Sequence, residues 1–139
     1  MHGLLIPAPL AEEILDHARK DAPNECCGIM AGKERSVQQV YPTTNIDSSP
    51  VKYTIDPQQM ASAFRDAEKL GLDILGFYHS HTHTEAYPSP TDTRLAPPSD
   101  FFDYQYVIVS LQDDKNPVMR CFRIVERKVI ETSIEVVKA

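Results

Sequence analysis

The chain has 139 residues, a formal net charge of −6, and apolar and charged contents of 42% and 24%. That length suits one domain with a core of its own, and an acidic balance without a run of like charges argues against nucleic-acid binding. No apolar stretch approaches a bilayer span, and Met1-His2-Gly3-Leu4-Leu5-Ile6-Pro7 lacks the charged and long apolar regions of a signal peptide, so a cytoplasmic protein is expected.

Leu4 to Ile6 reads as a first short strand. Pro9 to about Lys20 reads as a helix with Leu10, Ile14 and Ala18 on one face and Asp16 and Lys20 as a solvated pair on another. Cys26 to Ala31 and Val37 to Tyr41 read as strands joined by the turn Gly32-Lys33-Glu34. Adjacent Cys26 and Cys27 would point to opposite faces and cannot form a C-x-x-C pair. An odd total of three cysteines fits a reducing compartment, and all three, Cys121 included, read as small core residues. Thr43 to Lys52 is a polar loop and Tyr53 to Ile55 a brief strand. Asp56 and Pro57 then cap and open a second helix, which runs through Leu70, turns Met60, Phe64 and Ala67 inward, and ends at Gly71.

Asp73 to Tyr78 is a short, largely apolar run that reads as a buried strand reaching His81. Ser89 and Pro90 read as the N-cap and first residue of a helix, and Thr93 to Asp100, with Pro97-Pro98, as an irregular loop. Tyr104 to Leu111 is continuous enough for a central strand. Val118 to Ile124 and Val129 to Val137 alternate apolar and polar residues, as strands with one exposed face do. No repeat, low-complexity segment or linker interrupts the chain. Two helices around a mixed β-sheet define an α+β fold, with residues 1–139 expected to form a single domain.

The chemistry concentrates in His79-Ser80-His81, Ser89 and Asp92. Residues i and i+2 of a strand share a face, so both imidazoles can reach one ion, and Asp92 can add an oxygen once the chain turns back. Two histidines and one carboxylate, with a fourth position open, form the donor set of a catalytic rather than a structural zinc. His83 would share that face if the strand continued; the preferred reading ends the strand near His81 and leaves His83 and Glu85 in solvent. Upstream, Glu25 precedes the apolar run Cys26-Cys27-Gly28-Ile29-Met30-Ala31. It therefore stands at the mouth of another strand, where a carboxylate could serve as a general base.

Taken together, Glu25 within Pro-x-Glu-Cys-Cys-Gly, Gly76-Phe77-Tyr78-His79-Ser80-His81 and Ser89-x-x-Asp92 resemble the signature of the JAMM (MPN-plus) metalloproteases. The resemblance implies a fold of the cytidine-deaminase-like and MPN kind across the chain. It implies zinc ligation by His79, His81 and Asp92, acid/base catalysis by Glu25 and oxyanion stabilisation by Ser89. Two positions depart from the family habit: Thr82 stands where a proline often follows the second histidine, and Phe77 where tryptophan is common. Neither is a ligand.

The compact length is similar to that of the short prokaryotic branch, which implies a ubiquitin-like sulfur carrier protein, or its conjugate, as partner. The implied reaction is hydrolysis after the carrier's C-terminal Gly-Gly, releasing cysteine or another amine. Two alternatives stay open: removal of ubiquitin-like modifiers from protein lysines, and a non-catalytic scaffold that binds a ubiquitin-like partner. A zinc deaminase would want a C-x-x-C ligand pair, which this sequence lacks.

Overall fold

The computed structural model describes residues 3–97 and 103–138. Among them, one mixed sheet contains β1 (Leu4–Pro7), β2 (Cys27–Lys33), β3 (Ser36–Thr43), β4 (Asp73–His81), β5 (Gln105–Ser110), β6 (Val118–Val125), β7 (Lys128–Thr132) and β8 (Ile134–Val137). Its order is β7-β6-β5-β4-β2-β3-β1-β8. The β1–β3, β1–β8 and β4–β5 pairs are parallel and the rest antiparallel. β7 and β8 lie at opposite ends of this order although Ser133 alone separates them. The sheet therefore curls until its two edges approach, and the Ser133 carbonyl accepts the Leu4 N–H at 2.9 Å.

Helices cover both faces. α1 (Ala8–Asp21) buries Ala11, Ile14 and Ala18, three and four residues apart, as a single stripe. Leu10, expected in that stripe, lies at its margin, packed against a cluster that includes Met30, Tyr78, Val107 and Val109. α2 (Pro57–Lys69) starts where expected, with the Asp56 carboxylate accepting the N–H groups of Gln58 and Gln59. It buries Ala63 and Ala67, with Met60 and Phe64 half-buried, against Cys27, Ile29 and Phe77. Gly71, at φ +73°, follows its end in the left-handed conformation that glycine tolerates best. Cys26 and Cys27 face opposite clusters, and all three cysteines are buried and free.

Three expectations need correction. Tyr53 to Ile55 is not a strand: only Ile55 makes a bridge, to Asn45, because the preceding loop folds back on itself. Val129 to Val137 is two strands rather than one, since the backbone turns at Ser133 from the β6 edge to the β1 edge. Thr93 to Leu95 belong to a helix, α3 (Pro90–Leu95), so the irregular segment starts later; Pro98 to Asp100 lie outside the described residues. No helix among the described residues is long and apolar enough to cross a membrane.

Candidate metal centre

β4 and α3 bring the site together. Alternation along β4 sends Phe77, His79 and His81 to the α2 face, and Tyr78 and Ser80 to the α1 face. β4 is flanked by β2 and β5, with Cys27 opposite His79 on one side and Ile108 on the other, so the histidines enter from a central and buried strand. α3 faces them with its first turn. The Ser89 hydroxyl oxygen accepts the Asp92 N–H at 3.0 Å, and the Asp92 carboxylate accepts the Ser89 N–H at 2.9 Å. This reciprocal cap, with Pro90 at the first helical position, fixes both the helix start and the direction of the Asp92 side chain.

Three atoms converge. His79 Nε2 and His81 Nε2 lie 3.2 Å apart, and Asp92 Oδ2 stands 3.0 Å from the first and 3.2 Å from the second. Both imidazoles are almost fully buried. The His81 ring is oriented by its other nitrogen: Nδ1 lies 2.8 Å from the Glu85 carbonyl oxygen, which can only accept, so Nδ1 carries a proton. In a neutral ring, Nε2 then presents a lone pair toward the Asp92 carboxylate. A second proton on His81, or a cation among these atoms, would turn that contact into an attraction. The ring of His79 is held differently. Its Nδ1 is buried without a hydrogen-bond partner among the described residues, and the ring stacks on Tyr53, centroids 4.5 Å apart and planes 26° from parallel.

Glu25 completes the group. One of its carboxylate oxygens and one ring nitrogen from each of His79 and His81 all lie within 4.8 Å of one another. Glu25 is 3% exposed, and its Oε1 has no hydrogen-bond partner among the described residues. Burial pushes its carboxyl up to about 8, with His81 pulling it down and Asp92 pushing it up. Burial holds His79 below its ordinary value. Burial also pulls on His81, but the hydrogen bonds to Asp92 and to the Glu85 carbonyl prevail and leave it raised. Burial acts upward on Asp92, yet hydrogen bonds from both histidines and from the Ser89 N–H keep it well below the usual carboxylate range.

All five residues singled out in the sequence meet here: Glu25, His79, His81 and Asp92 directly, and Ser89 through its cap on Asp92. His83 and Glu85 are exposed beyond the end of β4, although the Glu85 backbone orients His81. Cys26 turns toward the α1 side, its amide N–H given to Ser80 Oγ at 2.8 Å. Burial pushes its thiol up to about 12, which disfavours the thiolate. Sequence reading missed Tyr53, a lone aromatic in a polar stretch, and Thr82, whose hydroxyl donates to the Pro23 carbonyl at 3.0 Å and ties the end of β4 to the segment carrying Glu25.

A mixed sheet with a buried His-x-His strand and a capped carboxylate opposite defines a metallopeptidase of the JAMM type. The Prok-JAB family, prokaryotic homologs of the JAB domain, matches residues 7–125, and the chain belongs to it. It is 39% identical over 140 residues to the CysO-cysteine peptidase of Mycobacterium tuberculosis, covering 99% of this chain and 94% of that protein. It is 37% identical over 114 residues to the desampylase of Haloferax volcanii, covering 77% of this chain and 80% of that protein. The solution structure of a Desulfitobacterium hafniense protein superposes with a TM-score of 0.89 at 37% identity, covering 98% of this chain and 94% of that one.

Proposed function

We propose that residues 1–139 act as one zinc-dependent hydrolase domain in the cytoplasm, cleaving the amide after the C-terminal Gly-Gly of a ubiquitin-like sulfur carrier protein and releasing cysteine. The convergence of His79 Nε2, His81 Nε2 and Asp92 Oδ2 within 3.0–3.2 Å carries this reading. Those separations approach the roughly 3.3 Å edge of a tetrahedron with zinc-ligand bonds of about 2.0–2.1 Å. The donor set fits as well, since a cation would meet the lone pair that His81 cannot offer to a carboxylate. The relative named CysO-cysteine peptidase, which the chain matches over nearly its whole length, supports the choice of substrate.

Zinc held by His79, His81 and Asp92 would supply a Lewis acid that polarises the scissile carbonyl and acidifies water. Glu25 does the proton work: a buried carboxyl brought toward neutrality can take a proton from water and return it to the leaving amine. The Ser89 hydroxyl oxygen is engaged as the helix cap, and its own proton remains available to the substrate oxygen that gains negative charge. A cavity of about 260 Å³ opens beside Asp92, walled by Tyr53, Ile55, Met60, Phe77, Leu95 and Tyr106. It suits an apolar side chain of the carrier tail upstream of the Gly-Gly.

The test is intact-mass analysis of a carrier–cysteine amide incubated with the protein, with and without a chelator. The expected result is loss of one cysteine, blocked by chelation. An uncut adduct in protein holding stoichiometric zinc would move the substrate to a carrier linked to lysine. If neither is cut by the zinc-loaded protein, the hydrolase reading falls in favour of a scaffold.

A further inference from the structure

Asn45 is a buried amide in the loop between β3 and α2, and all of its hydrogen-bonding capacity is used. Its Nδ2 donates to the Glu25 carbonyl and to the Lys52 carbonyl, each at 3.0 Å. Its Oδ1 accepts the N–H groups of Asp47 and Thr54, each at 3.1 Å. The amide thus pins both ends of the loop together and joins them to the segment that carries Glu25. The loop answers in kind, since the Ser49 carbonyl accepts the Glu25 N–H at 2.9 Å. Both backbone groups of Glu25 are therefore held by one loop, which Asn45 closes. The same loop leads into Tyr53, the ring stacked on His79.

We infer that Asn45 is a positioning residue that sets the placement of Glu25 beside the histidines. The inference rests on the acid/base role proposed for Glu25. Glu25 itself needs such a support, because its buried Oε1 meets no hydrogen-bond donor among the described residues. Removing the Asn45 amide leaves two carbonyls and two N–H groups without their partner, and it frees the Ser49 carbonyl to drift from the Glu25 N–H. Small displacements of a reacting group cost large factors in rate, so the loss falls on turnover rather than on binding.

Two readouts test this on the zinc-loaded full chain. The first needs no substrate: amide hydrogen exchange at Glu25 is expected to speed up about tenfold or more in Asn45→Ala, while the β4 amides keep their protection. The second is steady-state cleavage of the carrier–cysteine amide. There kcat is expected to fall about 10- to 100-fold with KM within about twofold and zinc content unchanged. Asn45→Asp is the companion variant should Asn45→Ala fold poorly. It keeps the acceptors for Asp47 and Thr54 but turns an oxygen toward the two carbonyls, and the same changes are expected. Asp47→Ala is the control: it removes the exposed 2.6 Å bond from the Thr54 hydroxyl but keeps every bond of Asn45, which Asp47 meets through its backbone N–H, and is expected to behave like the parent. Unchanged Glu25 exchange in the Asn45 variants, or faster exchange with normal kcat, overturns the inference. Should Glu25→Ala itself remain active, the acid/base reading of Glu25 has failed instead, whatever the exchange at Glu25 shows of Asn45.

Discussion

Glu25 and Asp92 are both carboxylates beside the same two histidines, yet their surroundings shift them in opposite directions. The Asp92 carboxylate accepts a backbone N–H and lies 3.0 and 3.2 Å from the two ring nitrogens, a setting that stabilises its anion. Glu25 Oε1 receives no hydrogen bond among the described residues, and burial raises its carboxyl. Accordingly, Asp92→Ala should lose the metal, whereas Glu25→Ala should retain stoichiometric zinc and lose turnover, as metal analysis beside the cleavage assay will show. Retained zinc in the Asp92 variant would remove that residue from the ligand set. The histidines also set how zinc binding follows pH. A proton must leave His81 before the ring can donate to a metal, so affinity rises with pH. Because the folded pKa of His81 lies above its ordinary 6.5, that rise continues above 6.5. His79, held below 6.5, offers little competition there. Competition against a chelating dye from about pH 8 down to about pH 6 should show affinity falling before an ordinary histidine would begin to titrate. A flat profile over that range would contradict the proton held on His81.

The elements show why some features could be read from sequence and others not. Asp56-Pro57 and Ser89-Pro90 are local signals, and each cap forms where it was expected. His79 and His81 converge because a strand forces i and i+2 to one side, and the apolar run before them identifies the strand. Asn45 carries no such mark: a polar residue in a polar loop has no periodicity, and its decisive bond reaches back to Glu25. Tyr53 to Ile55 looked like a strand by composition, but the closure of the loop around Asn45 decides otherwise. The break at Ser133 was hidden because alternation persists on both sides of it. Gly28 shows an element-level constraint that sequence left silent. A Cβ there would overlap the Tyr78 ring, which cannot withdraw because its hydroxyl is held 2.7 Å from His17 Nδ1. Gly28→Ala should therefore destabilise the protein by about 1–3 kcal/mol. Thermal melting should register this as a drop of about 2–4 °C for each kcal/mol. An unchanged melting temperature would mean that Tyr78 is free to move.

At the scale of the molecule, the site occupies the part of the sheet that is most completely enclosed. β4 has strands on both sides and helices over both faces, whereas the loops bearing Glu25 and Asn45 gather at its carboxyl end. Order is thus concentrated under the histidines, and the bonds of Asn45 extend it to the loop beside Glu25. The curling of the sheet has a consequence for how the protein forms. Leu4 pairs with Ile134, so β1 cannot receive this neighbour until the strands between them have taken their places. Closing so large a loop carries an entropic cost that local hairpins such as β6–β7 avoid. The β8 strand is therefore the seam of the structure, the last to close and the first to open. Among the strands, amide exchange should be fastest along Ile134–Val137 and slowest in β2 and β4, with the convergence of His79, His81 and Asp92 intact after the seam has parted.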